Sequence, residues 1–150
     1  MADKRRFDLF AKLIVENFPE AQFIYDIAGG MGRLNEALVQ RGLRCTTFDT
    51  RHKHLDVDFA RREFGLSEPC SADVVVGLHA DGATRLIVEY AAQNRIPFAI
   101  VPCCSDNSMP YKPWMRHLDE LARSLGMRTE EALLPMEGRA RVLLGWPASD

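Results

Sequence analysis

Asp26-Ile27-Ala28-Gly29-Gly30-Met31-Gly32 stands where an apolar run (Phe23, Ile24, Tyr25, Ile27) gives way to the helical spacing of Leu34, Ala37 and Leu38. A strand handing over to a helix through three glycines predicts a joint where the backbone turns tightly and lies close against a ligand. The acid ahead of the glycines suits a ligand end other than the phosphates that most glycine-rich turns hold. A second strand-like run, Cys45-Thr46-Thr47-Phe48, ends in Asp49. A carboxylate at that place in an α/β sheet can accept both hydroxyls of a ribose. Together the two features point to an adenosine-type ligand carrying an amino acid rather than a pyrophosphate.

Working outward, strands and helices alternate along the chain. Phe7, Phe10, Leu13, Ile14 and Phe18 predict an opening helix that Asp3 can cap and Pro19 ends, so residues 1–19 read as an N-terminal helix. A strand over about 22–28 leads through the glycine turn to a helix stopped by Gly42, then to a strand over about 43–49. The next stretch is less regular, with a helix pattern over Val57 to Phe64 and at most a faint strand around Phe64 to Leu66. Asp73-Val74-Val75-Val76-Gly77-Leu78 is continuous and β-branched, as a parallel strand buried on both faces should be. Asp81 can cap a helix with Ala83, Leu86, Ile87, Tyr90 and Ala91 on its inner face. A strand over Pro97 to Val101 follows, then a helix opened by Pro113 and closed by Gly126. Two last runs, about 128–134 and 139–146, flank Met136-Glu137-Gly138 and predict a hairpin. The pattern as a whole predicts a single α/β domain over 1–150, a mostly parallel twisted sheet with helices on both faces and a C-terminal antiparallel hairpin.

Length and composition exclude several classes. The chain has 150 residues, 47% of them hydrophobic and 27% charged, which fits one domain with a single sizeable core and argues against disorder. No apolar run reaches the length of a membrane span, and the basic N-terminus has no apolar stretch behind it, so a cytoplasmic location without membrane attachment is the expectation. A net charge of −2 gives no global attraction to phosphate backbones. Local clusters at Lys4-Arg5-Arg6, Arg51 to His54 and Arg61-Arg62 read as solvated faces. Cys45, Cys70, Cys103 and Cys104 are too few and too scattered for a disulfide scaffold.

Fingerprints for other nucleotides fail. The nicotinamide and flavin pattern, read from Gly30, meets Asn35 near its third glycine, and no Walker phosphate loop is present. Asp26-x-Ala28-Gly29-Gly30-x-Gly32 instead resembles motif I of the class I S-adenosylmethionine-dependent methyltransferases, with their Rossmann-like sheet and terminal hairpin. That resemblance implies S-adenosyl-L-methionine as cofactor. Asp26 would stand near its methionine amino group, Ala28, Gly29, Gly30 and Gly32 would line it, and Asp49 would hold its ribose. Asp56 and Asp58 are candidates beside the adenine, each with a plain alternative as a surface carboxylate.

Two more strand ends carry unusual chemistry, Leu78-His79-Ala80-Asp81-Gly82-Ala83-Thr84 and Val101-Pro102-Cys103-Cys104-Ser105-Asp106-Asn107-Ser108. Leu-His-x-x-x-Ala-Thr followed by Pro-Cys-Cys resembles a methyltransferase-like family similar to the catalytic domain of tRNA 2′-O-methyltransferases. The chain departs from those enzymes in lacking their zinc module and in following Cys-Cys with Ser-Asp rather than with histidines. Leu78 and His79 are expected at the cofactor, and their places beyond strand ends make His79 or Asp106 candidates for taking or redirecting an acceptor's proton. A histidine hydrogen-bonded within the turn is the alternative for His79, and helix capping for Asp81. Cys103 and Cys104 admit three readings: small residues at the methionine end, core residues, or metal ligands with His79, the last lacking a fourth ligand. No metal is therefore assigned. Ser105, Asn107 and Tyr111 belong to a polar, proline-punctuated loop with two readings: a cover over the site that binds and stacks on an acceptor, or a plain connection in which Trp114 anchors the helix beyond.

The function so implied is methyl transfer to a hydroxyl or amine, on RNA or on a small metabolite. A non-catalytic cofactor-binding subunit, with a protein partner or as a homodimer, is the alternative.

Overall fold

A computed structural model gives the architecture and describes residues 3–80, 82–102 and 109–148. Seven strands form one sheet in the order β3-β2-β1-β4-β5-β7-β6. They are β1 (Phe23–Ile27), β2 (Arg44–Asp49), β3 (Phe59–Arg61), β4 (Val74–Leu78), β5 (Phe98–Val101), β6 (Met127–Leu133) and β7 (Arg141–Pro147). The first five pair in parallel, and β7 runs antiparallel to both β5 and β6. The expected parallel sheet with a terminal hairpin is thus what the chain forms.

Side chains alternate across the sheet, so each buried strand supplies two cores. Ile24, Val74, Val76, Ala99 and Val101 face α1 (Arg6–Asn17) and α2 (Arg33–Gln40), where they meet Phe10, Ile14, Leu34 and Leu38. Tyr25, Ile27, Val75, Phe98 and Ile100 face α3 (Thr84–Asn94) and α4 (Tyr111–Ser124), where they meet Ile87, Tyr90, Trp114 and Leu118. Burial on both faces is why these strands read as apolar runs rather than as alternating ones. Among the described residues no helix is long and apolar enough to cross a membrane.

Several local expectations change. Val57 to Phe64 is not a helix; its centre, Phe59–Arg61, is β3, which pairs in parallel with Thr47 to Asp49. The strand sought at 64–66 therefore lies five residues earlier. It is only three residues long, at the sheet edge and with no residue fully buried, so no apolar alternation marks it. The last helix opens at Tyr111 rather than Pro113, which sits in its first turn, where a missing N–H costs nothing. Asp3 does not cap α1 directly. Its carboxylate accepts the N–H of Arg5, at 2.9 Å, one residue outside the helix. The hairpin strands are Met127–Leu133 and Arg141–Pro147, shifted by one or two residues from their expected bounds. Asp81 lies outside the described residues.

Candidate functional site

The strand order reverses between β1 and β4, since β2 and β3 follow on one side and β5 on the other. In open α/β sheets ligands bind beyond the carboxyl ends of the strands at that switch. Both strand ends here carry a non-glycine residue with positive φ, Ala28 at 53° and His79 at 52°. The left-handed region costs such residues about 1 kcal/mol or more. Strain held at two adjacent strand ends marks the place where the backbone is fixed by what surrounds it.

The glycine turn rests on a buried polar chain. Asn35, fully buried on α2, points its amide nitrogen at the carbonyls of Cys45 and Asp58 (both 3.0 Å) and at Thr47 Oγ1 (3.1 Å). Thr47 Oγ1 in turn donates to Asp26 Oδ2 at 2.9 Å. Asp26 is 1% exposed, and its second oxygen has no partner among the described residues. Burial pushes the Asp26 pKa up to about 7; the Thr47 hydrogen bond opposes the rise and the negative charge of Asp49 adds to it. Gly29 lies directly over this carboxyl, and a Cβ there would fall 2.1 Å from Asp26 Oδ2. Gly32 has φ +92°, and a Cβ on it would meet Val57 Cγ2 at 2.7 Å. Asp26 and Gly32 thus shape the turn from beneath and behind, and neither contributes to the wall of the cavities described next.

Two cavities meet at Ala28. One, of about 370 Å³, runs from Ile27 and Phe48 past Asp49 to Phe64, Ala83 and Leu86. Asp49 sits at its edge, half-buried, with Oδ2 accepting the Gly30 N–H (2.9 Å) and Oδ1 the Arg51 N–H (3.1 Å). Each carboxylate oxygen retains a second lone pair for a ligand hydroxyl. Apolar walls and one edge carboxylate suit a nucleoside, with the base between hydrophobic side chains and the ribose at the acid. Asp56 and Asp58 stand elsewhere, in a groove beside α2 with Val39 and Leu43.

The second cavity, of about 330 Å³, lies across the turn and is lined by Gly29, Gly30, Leu78 and His79 together with Arg6, Arg33 and Arg51. His79 Nε2 stands 2.8 Å from the carbonyl of Arg139. A carbonyl can only accept, so in the neutral ring Nε2 carries the proton and Nδ1 keeps a free lone pair. The alternative read from sequence, a histidine bonded within its own turn, gives way to a bond across to the β6–β7 connection. Tyr111, at the start of α4, lies outside both cavities, with the Arg139 guanidinium 3.9 Å from its ring centre. Cys103, Cys104, Ser105, Asp106 and Asn107 lie outside the described residues.

Sequence reasoning misses several wall residues. Arg62, Glu63 and Phe64 close the first cavity, and Arg6 reaches the second from the first turn of α1. Their only signals in the sequence are the place of β3, which no local pattern marks, and basic clusters that read equally as solvated faces.

No protein-family model matches the chain, and no curated protein matches it in sequence. Solved structures do match in fold. DesVI of Streptomyces venezuelae superposes with a TM-score of 0.69 at 11% identity, over 95% of this chain and 91% of that one. The sugar N-methyltransferase KedS8 of Streptoalloteichus matches with a TM-score of 0.67 at 12% identity, over 97% and 88%. Human N-acetylserotonin methyltransferase, solved with S-adenosylmethionine, matches at 0.62 and 16% identity, over 96% of this chain; the chain covers 51% of that protein. At such identities the likeness establishes the fold alone, a Rossmann-like, mostly parallel sheet with a terminal antiparallel hairpin.

Proposed function

We propose that the chain is an S-adenosylmethionine-dependent methyltransferase acting on a hydroxyl or amine of a small molecule. The observation that carries this reading is the pair of cavities joined at Ala28, one edged by Asp49 and the other by His79.

The residues present fit the cofactor. The Asp49 carboxylate at the edge of an apolar slot can take the ribose hydroxyls, while Ile27, Phe48 and Leu86 flank a base. At Gly30 a built Cβ would touch only the tip of the Arg51 side chain, Nη1 at 3.6 Å, and the backbone there lines the second cavity. When bound, S-adenosylmethionine supplies a methyl group on a sulfonium, open to in-line displacement. An acceptor oxygen or nitrogen would take this methyl, with the electrons of the sulfur–methyl bond remaining on sulfur. The acceptor's proton must then leave. His79 Nδ1 can receive it, because Nε2 is held by the Arg139 carbonyl in the tautomer that frees Nδ1. Holding donor and acceptor side by side in walled cavities removes most of the entropic cost of their encounter.

A small-molecule acceptor fits the size of the second cavity, and the neighbours named above for a sugar and for N-acetylserotonin act on small molecules by their names. RNA is the competing acceptor. Transfer of labelled methyl from S-adenosylmethionine into separated metabolite and RNA fractions of a cell extract decides between them. Label in metabolites, with turnover lowered in His79→Ala at unchanged cofactor affinity, is the expected result. Label in RNA alone overturns the small-molecule reading, and full turnover by His79→Ala removes its role in proton transfer. Cofactor binding with no transfer to any fraction would make the chain a binding module.

A further inference from the structure

Arg6, Arg33 and Arg51 come from three separate elements: the start of α1, the start of α2 and the residues just after β2. All three line the cavity that holds His79, and among the described residues no acidic side chain lines it with them. Arg5, Arg41, Arg62, Arg85, Arg123, Arg128 and Arg141 each have a carboxylate within ion-pair distance. Among the described residues none lies within that distance of Arg6, Arg33 or Arg51. Arg44, Arg61, Arg95, Arg116 and Arg139 also have none among the described residues, but they do not share a cavity with one another as Arg6, Arg33 and Arg51 do. Arg6 donates to the carbonyl of Asp3 at 2.9 Å and packs over the Phe7 ring. In a chain of net charge −2, three guanidinium groups gathered on one small cavity, with no acid beside them among the described residues, run against the overall balance.

The cofactor does not neutralise them. S-adenosylmethionine carries one carboxylate against an ammonium and a sulfonium, so its own net charge is positive at neutral pH. Its carboxylate can satisfy one guanidinium; the others then face a sulfonium of the same sign. We propose that the acceptor carries a small anionic group, a phosphomonoester or a carboxylate, seated on Arg6, Arg33 and Arg51, with its nucleophilic atom directed to His79. Arginine suits either group, since its planar fork pairs with two oxygens at once. The assignment of this anion to an acceptor rests on the methyltransferase reading; the anion site itself does not.

The test is a titration of the ¹⁵N-labelled chain, saturated with S-adenosylhomocysteine, using inorganic phosphate and, separately, benzoate. Ionic strength is held constant with sodium chloride, and the signals followed are the arginine Nε–H groups and the amides of Gly29 to Met31. The expected result is a saturable shift at these positions with one of the two anions, which identifies the group. Arg33→Gln combined with Arg51→Gln should weaken it on the order of tenfold or more, while Arg116→Gln, on α4 and away from the cavity, leaves it unchanged. Both arginines are solvent-exposed, so the double variant keeps the core, and its spectral dispersion verifies the fold. Shifts that grow linearly with both anions, or an affinity unaltered in the double variant, overturn the proposal. So does a single-stranded RNA oligonucleotide that binds the same arginines more tightly than either anion. If S-adenosylhomocysteine itself fails to bind, the methyltransferase reading falls, while the same titration on the free protein still decides whether the anion site exists.

Discussion

Replacing Asp26 by asparagine should remove an unusual pH dependence of stability. Asp26 is a buried carboxyl with one hydroxyl donor (Thr47) and one orphan oxygen, and its pKa stands at about 7 against 3.8 for the unhindered group. The folded state therefore holds this proton over a pH range in which the unfolded chain has released it. Stability falls with rising pH wherever the folded state binds more protons, so this group lowers it steadily from about pH 4 to pH 7 and by a constant amount above. Each unit of pKa difference is worth about 1.4 kcal/mol, which puts the full penalty at about 4 kcal/mol above neutrality. Between pH 5 and pH 8 the part still to be lost is about 3 kcal/mol. An asparagine side chain would fill the same space, accept the Thr47 hydrogen bond and never ionise. Urea unfolding of the two proteins at pH 5, 6, 7 and 8 isolates the effect, because other titrating groups cancel in the difference. The natural chain should lose about 3 kcal/mol relative to Asp26→Asn over that range. Parallel pH curves, or a natural chain that gains on the variant as pH rises, would refute the argument that the buried acid is neutral when the protein is most stable.

Other outcomes follow from the same turn. Gly29→Ala must move the Asp26 carboxyl or the backbone above it, costing about 1–3 kcal/mol in denaturant unfolding and displacing the wall shared by both cavities. Ala28→Gly relieves a positive φ and should stabilise the chain by up to about 1 kcal/mol in the same assay. Asp49→Ala leaves the Gly30 N–H unpaired and removes the ribose acceptor, so calorimetry should show S-adenosylhomocysteine affinity lowered on the order of tenfold or more. Asn35→Ala removes the amide that faces three oxygens and should destabilise by about 1–3 kcal/mol.

The sheet is legible in the sequence because its strands are buried on both faces and its helices show their inner stripe, as in Val74 to Val76 and in Ile87, Tyr90 and Ala91. β3 is not, because an edge strand of three residues needs no apolar pattern and takes its place from pairing with Thr47 to Asp49. At the site, the glycine run and Asp49 can be read because βα turns and strand ends demand particular residue types. The place of Asp26 beneath the turn cannot, since the same acid before the same glycines suits either a ligand or a buried support. Arg6 escapes for a different reason. Only the packing of α1 beside α2 brings its side chain to the end of β4, and no local pattern records that neighbour.

Whether the cavities on either side of Ala28 hold an S-adenosyl nucleoside is read by titrating the ¹⁵N-labelled chain with S-adenosylhomocysteine and following its amide shifts. Saturable binding at one site, with the largest shifts at Ala28 to Met31, Asp49 to Arg51 and Ala83, is the predicted result. Absence of binding at millimolar ligand, or shifts centred on the opposite end of the sheet around Phe18, Ala21 and Trp146, would contradict it.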